Sequence, residues 1–182
     1  ELKQMVEKCK NKDGRYGNLI QIIGSPSTIQ LAYLMIKSNR GISAKGIDNT
    51  TLDGLNLKLL QKISQDVRSG KQNFSPVRRI YIQKPGKSVL RPLGVSNPRE
   101  KIVQKAMEMV LTAIFEEVFL DSSHGSRPGR SCHTALKHLQ LKIGNASTYS
   151  WVIEGDIKGC FDNIQHDMII KGLKKKVDCV ST

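Results

Sequence analysis

Acidic side chains are in short supply in this chain. Asp and Glu number 16 against 29 Lys and Arg over 182 residues, a formal charge of +13. That imbalance favours contact with a polyanion and makes such contact steeply salt-dependent. Charge alone leaves RNA, DNA, an anionic membrane and an acidic protein as candidate partners. Cysteine is also sparse: Cys9, Cys132, Cys160 and Cys179 contain no CxxC pair. That spacing disfavours a structural zinc site and fits reduced thiols in an intracellular protein. No apolar run is long enough to span a bilayer, and no secretory signal opens the chain. Internal repeats and low-complexity tracts are lacking too. A start at Glu1 and a stop just past an expected helix fit a chain cut from something longer at both ends.

What is present reads as an α+β plan. Residues 1–20 are polar and basic with weak helical patterning. Ser25-Pro26 opens a helix, with Ser25 as cap and Pro26 in the first turn, and Ile29, Ala32, Tyr33 and Ile36 form its apolar face. After a loop from Gly41 to Asp48, a second amphipathic segment carries Leu55, Leu59, Leu60, Ile63 and Val67 and ends at Ser69-Gly70. The period then changes. Val77 to Gln83 and Ser88 to Val95 read as a hairpin turning at Lys84-Pro85-Gly86-Lys87, with Pro92 marking an edge strand. Pro98 opens the strongest helix, whose expected buried face is Val103, Ala106, Met107, Val110, Leu111, Ile114, Phe115 and Val118, ending near Asp121. A Ser/Gly/Arg/Pro-rich loop at 122–131 leads to a helix from Cys132 to Leu141 capped by Ser131. A polar linker, a strand at 151–155, a turn from Asp156 to Asn163 and a helix over 167–177 follow.

Asp156 is the leading metal-ligand candidate. Trp151, Val152 and Ile153 form a short apolar strand that delivers its carboxylate to a strand end, and Gly155 permits close backbone approach. Mg²⁺ prefers hard oxygens and substrate phosphates, so one carboxylate beside the carbonyl of Ile157 is a sensible partial site. A structural strand-end acid is the competing reading. Phe161 either packs against a sugar ring or serves as a core aromatic, and the local pattern favours the core. Lys84, Lys87 and Arg91 surround the hairpin turn as a candidate triphosphate clamp, with a solvated basic hairpin as the alternative. Arg78 and Arg79 are weaker candidates for a template backbone. Arg127 and Arg130, with the backbone of Gly125 and Gly129, form a phosphate-binding candidate ahead of a helix start. His124 and His133 read as structural.

Several of these segments together resemble the N-terminal part of a group II intron-encoded reverse transcriptase, or maturase. The resemblance runs from Gly41–Asp48 through Lys84-Pro85-Gly86-Lys87…Arg91-Pro92-Leu93-Gly94 and His124-Gly125-Ser126-Arg127-Pro128-Gly129-Arg130-Ser131. It culminates in Gly155-Asp156-Ile157-Lys158-Gly159-Cys160-Phe161-Asp162-Asn163-Ile164. It implies reverse-transcriptase fingers, with helices around a β-hairpin over 1–145, and the beginning of the palm over 146–182. It also implies that Asp156 is the first catalytic aspartate, that Ile157 supplies a metal-binding carbonyl and that Phe161 is the sugar gate. Lys84 and Arg91 take the phosphates of the incoming nucleotide, while Arg78, Arg79, Lys87, Arg127 and Arg130 are the RNA-binding candidates.

The implied cofactor is Mg²⁺ in the complete enzyme, with none held by this chain alone. The implied partners are group II intron RNA, an RNA template, a DNA primer and dNTP, with a homodimer or the missing C-terminal portion completing the assembly and no membrane. The setting is a mitochondrion or a bacterial cytoplasm. One departure matters: the Tyr/Phe-Ala-Asp-Asp segment carrying the family's remaining catalytic acids does not occur here. The isolated chain is therefore expected not to polymerise DNA. The alternative reading is a non-catalytic RNA-binding subunit built on the same scaffold.

Overall fold

The structure is a computed structural model that describes residues 1–38, 44–51, 56–83, 85–86, 88, 90–143 and 151–178. The chain packs as two compact units. One comprises Glu1–Ala113 with the residues that follow Lys175; the other is Ile114–Lys175.

The first unit begins with α1 (Leu2–Glu7), β1 (Tyr16–Gly17) and α2 (Leu19–Ile23). Helix α3 (Pro26–Lys37) starts as expected: Ser25 accepts the Thr28 amide at 3.2 Å and Pro26 fills the first turn, where its missing N–H costs nothing. Asn56 caps α4 (Leu57–Arg68) in the same way, accepting the Leu59 amide at 2.9 Å. Helical spacing brings Ile29, Ala32 and Ile36 of α3 and Leu60, Ile63 and Val67 of α4 into one core. Ile102, Val103 and Ala106 of α5 (Pro98–Phe115) complete it. Each buried Ile, Leu and Val among them stabilises the fold by about 1.5–3 kcal/mol relative to leaving it in water, and the two alanines by less.

On α5 the buried stripe is narrower than its sequence suggests. Ile102, Val103, Ala106, Val110 and Ile114 are buried, whereas Met107 and Val118 are exposed. The helix ends at Phe115 and passes into a 3-10 turn at Glu116–Val118, short of Asp121.

Between α4 and α5 lies the hairpin of β2 (Arg78–Gln83) and β3 (Leu90–Val95), antiparallel, in a register running from Arg78 opposite Val95 to Gln83 opposite Leu90. Gly86 sits at φ +71°, the conformation a glycine adopts after a turn-opening proline. Pro92 is accommodated because, among the described residues, this is a two-stranded ribbon in which each strand has a free edge. Only Val95 is buried; the rest of the ribbon stands largely in solvent. The unit closes with β4 (Val177–Asp178), which pairs parallel with β1, Tyr16 opposite Val177. The residues expected to extend the last helix to 177 leave it for this ladder.

In the second unit, α6 (Cys132–Ile143) starts where expected, with Ser131 and Thr134 exchanging backbone and side-chain hydrogen bonds at its N-terminus. Helices α7 (Cys160–Asn163) and α8 (His166–Lys174) follow. The strand expected at 151–155 does not form. Among the described residues no strand lies alongside to complete its ladder, and Trp151, Val152 and Ile153 stand 90 %, 76 % and 97 % exposed. An apolar strand buried on both faces needs neighbours on both sides, and its sequence pattern appears whether or not they are there. The expected linker at 144–150 lies outside the described residues, as does Cys179; Cys9, Cys132 and Cys160 are free thiols.

Candidate nucleic-acid and nucleotide site

The base of the hairpin is fixed to the 44–48 loop by buried Asn97, half-buried Lys101 and exposed Arg78. The Asn97 side-chain oxygen accepts the Ile47 amide at 2.9 Å, and a Cβ on Gly46 would overlap Asn97, so only glycine allows this approach. Arg78 Nε donates to the Lys45 carbonyl at 3.0 Å and Lys101 Nζ to the Ala44 carbonyl at 3.4 Å. Burial pushes the Lys101 ammonium below its usual range. Glu100, itself buried, accepts the Ser75 amide at 2.7 Å and anchors the segment entering β2.

The candidate cations of the hairpin do not share one face. Residues directly opposite each other project to the same side. Arg78 and Arg91 (opposite Ile82) therefore lie on one face, about 13 Å apart along the ribbon, and Arg79 on the other with Tyr81. Arg79 and Arg91 are exposed and make no hydrogen bond or ion pair among the described residues, whereas Arg78 already gives one donor to the protein. Lys84 and Lys87 lie outside the described residues.

In the second unit, Arg127 is turned inward; its side chain is 6 % exposed. Its guanidinium donates to Glu116 Oε1 at 2.7 and 3.1 Å and to the carbonyls of Leu120 and Ser123 at 2.7 and 2.8 Å, while lying over the Phe119 ring. This planar fork meets acceptors in several directions, which a lysine does not do. Arg127 organises its own loop. Arg130 is more open and pairs with Asp121, a weak exposed contact. His124 of the same loop is within hydrogen-bond reach of Thr134 and His138. Neither Glu116 nor His138 was legible as a partner, because each lies 11 or more residues from the group it meets and no local spacing marks it.

Asp156 and Ile157 are exposed in a segment without regular secondary structure that leads into a turn at Gly159, held at φ +58° ahead of α7. Asn163 closes this turn by donating to the Gly159 carbonyl at 2.8 Å. A Cβ at Gly155 would meet nothing within 4 Å, so packing does not require glycine there. Phe161 is 93 % exposed; the core position that its pattern favours is not built, since no described element covers it. An exposed carboxylate with a carbonyl beside it suits Mg²⁺, which takes hard oxygens and keeps several waters. Among the described residues no three His, Cys, Asp or Glu side chains gather to complete a metal site.

Residues 82–179, from the end of β2 past Asp156, match the family described as reverse transcriptase (RNA-dependent DNA polymerase). The chain belongs to the reverse transcriptase family. Its relatives place it among the group II intron reverse transcriptases and maturases. It is 42 % identical over 168 residues to the group II intron-encoded protein LtrA of Lactococcus lactis subsp. cremoris, covering 92 % of this chain and 28 % of that protein. It is 41 % identical over 177 residues to the putative COX1/OXI3 intron 1 protein of Saccharomyces cerevisiae, covering 97 % and 21 %. With nuclear intron maturase 1, mitochondrial, of Arabidopsis thaliana it shares 31 % over 129 residues, covering 70 % and 17 %. The chain thus spans about a quarter or less of these relatives' length. Reverse transcriptases as a family use Mg²⁺.

Proposed function

We propose that this segment is the fingers, over 1–145, and the beginning of the palm, over 146–182, of an RNA-directed DNA polymerase and splicing maturase that binds group II intron RNA. The observation that carries the proposal is the family match over residues 82–179, which takes in the end of β2, all of β3 and the Asp156 turn. In the complete enzyme Asp156, with the Ile157 carbonyl, holds Mg²⁺, which when bound offsets charge on the nucleotide's phosphates. Lys84 and Arg91 bind those phosphates from the hairpin. Phe161 lies against the sugar of the incoming dNTP and excludes a 2′-hydroxyl. RNA contacts fall to Arg79, Lys87 and Arg130, with Arg78 sharing its donors between the 44–48 loop and a backbone phosphate. The inward Arg127 supports the RNA-facing loop instead of touching RNA.

A second reading, a non-catalytic RNA-binding subunit, draws on the exposed hairpin cations Arg79 and Arg91, which can meet a phosphate backbone without any metal at Asp156. Primer extension separates the two. A complete protein carrying this segment is expected to copy an RNA template from a DNA primer, and the 182-residue chain alone is expected not to. Absence of synthesis by the complete protein, with intron RNA still bound, would favour the second reading.

A further inference from the structure

The two faces of the hairpin differ in kind. One carries Ile80, Ile82 and Leu93 with Arg78 and the proposed phosphate ligand Arg91. The other carries Arg79, Tyr81 and Gln83, with Pro92 directly opposite Tyr81 and Gly94 opposite Arg79. Tyr81 stands 61 % exposed, and Arg79 and Gln83 are exposed on either side of it along β2. Arg79 and Tyr81 are two residues apart on one side of the strand, a separation of about 7 Å. Neither side chain makes a hydrogen bond or ion pair among the described residues. The charge around this face is of one sign. From Val67 to Arg99 the chain has eight Lys or Arg and no Asp or Glu. Glu100, the acid that ends the stretch, is buried and accepts the Ser75 amide.

Covering this face with apolar protein would bury the Arg79 guanidinium in a stretch that offers it no acid, and an unpaired buried charge is costly. A nucleic-acid strand brings the partner with it. A phosphate suits the guanidinium fork, and a flat base suits the phenol ring. In a duplex the faces of the bases are covered by their stacked neighbours, whereas in an unpaired strand they are open to an aromatic side chain. We infer that the Tyr81 face of the hairpin binds an unpaired nucleic-acid strand, one base stacked on Tyr81 and a neighbouring phosphate held by Arg79. This contact rests on the RNA binding proposed for the segment and gives Tyr81 a role in it. Base and phosphate are common to RNA and DNA, and stacking tolerates any sequence because every base has a flat face. A strand held there lies on the side of the ribbon away from Arg91, so the two sites do not compete for one face.

The test is the affinity of the 182-residue chain, over a range of salt, for three oligonucleotides: an unstructured RNA strand, its DNA counterpart and a blunt RNA duplex. Tyr81→Leu keeps an apolar side chain and loses the flat ring; it should weaken binding of the RNA strand by about fivefold or more. Tyr81→Phe should bind as the unmodified chain does, and neither variant should change duplex affinity by more than about twofold. Arg79→Gln should make the slope of log affinity against log salt on the RNA strand shallower by about 0.7, the share of one phosphate. Tyr81→Leu should leave that slope alone. An equal loss on the DNA strand would assign the face to unpaired strands of either kind, and a loss confined to RNA would assign it to RNA. Unchanged strand affinity in Tyr81→Leu, or an equal loss on strand and duplex, would overturn the stacking and leave the face to a protein partner, with RNA binding by the unmodified chain still standing. Failure of the unmodified chain to bind any of the three would overturn RNA binding itself. The Arg79→Gln slope stands even where Tyr81→Leu folds poorly.

Discussion

Gly46 shows how one residue without a side chain holds two distant segments together. Its backbone lies so close to Asn97 that any Cβ overlaps it, and the neighbouring Ile47 amide depends on the Asn97 oxygen. Gly46→Ala is expected to cost about 1–3 kcal/mol, the range for forcing atoms into a packed site. A lower urea midpoint with an unchanged slope would show it; an unchanged midpoint would mean that the loop yields freely. The Gly41–Asp48 motif was legible as part of a family pattern, but its physical purpose was not, since Asn97 lies about 50 residues away and looks like an ordinary helix-start residue. Arg127 shows the converse. Its Gly/Arg-rich setting reads as phosphate binding, yet Glu116 and two carbonyls occupy its donors. Residue type and spacing reveal a cation's capacity and say little about which acceptor reaches it first.

At the level of elements, the sequence spoke clearly wherever local chemistry sufficed. Ser25-Pro26, Ser131 and Pro85-Gly86 set helix starts and a turn through contacts a few residues away, and the structure contains all three. The short β1–β4 pairing was not legible, because it joins positions some 160 residues apart through two-residue strands with no pattern of their own. The apolar run at 151–155 misled for a related reason: it records burial that needs strands from elsewhere. The hairpin itself is almost uncovered, and an isolated two-stranded ribbon is marginal. Its amides should therefore exchange through local opening, faster than those of α3, α4 and α5, whose core should open only with the whole unit. Hydrogen exchange under native conditions checks this. Equal protection in hairpin and helices would show that the ribbon is locked to the helical core and would argue against an adaptable nucleotide clamp.

For the molecule as a whole, a charge of +13 and a reverse transcriptase family match from the end of β2 past the Asp156 turn are what the proposed contact with nucleic acid draws on. The family was readable from motif order; the assembled catalytic centre was not, because a metal site draws its acids from separated strands. Asp156 is an exposed carboxylate, and its proposed catalytic role comes from its place in the family pattern. The decisive measurement is RNA-templated primer extension by a complete protein carrying this segment, unmodified and as Asp156→Asn, with intron RNA affinity measured alongside. Loss of synthesis by the variant, with RNA affinity held within about twofold (under ~0.5 kcal/mol), is the predicted result. Synthesis at the unmodified rate in Asp156→Asn would contradict the account.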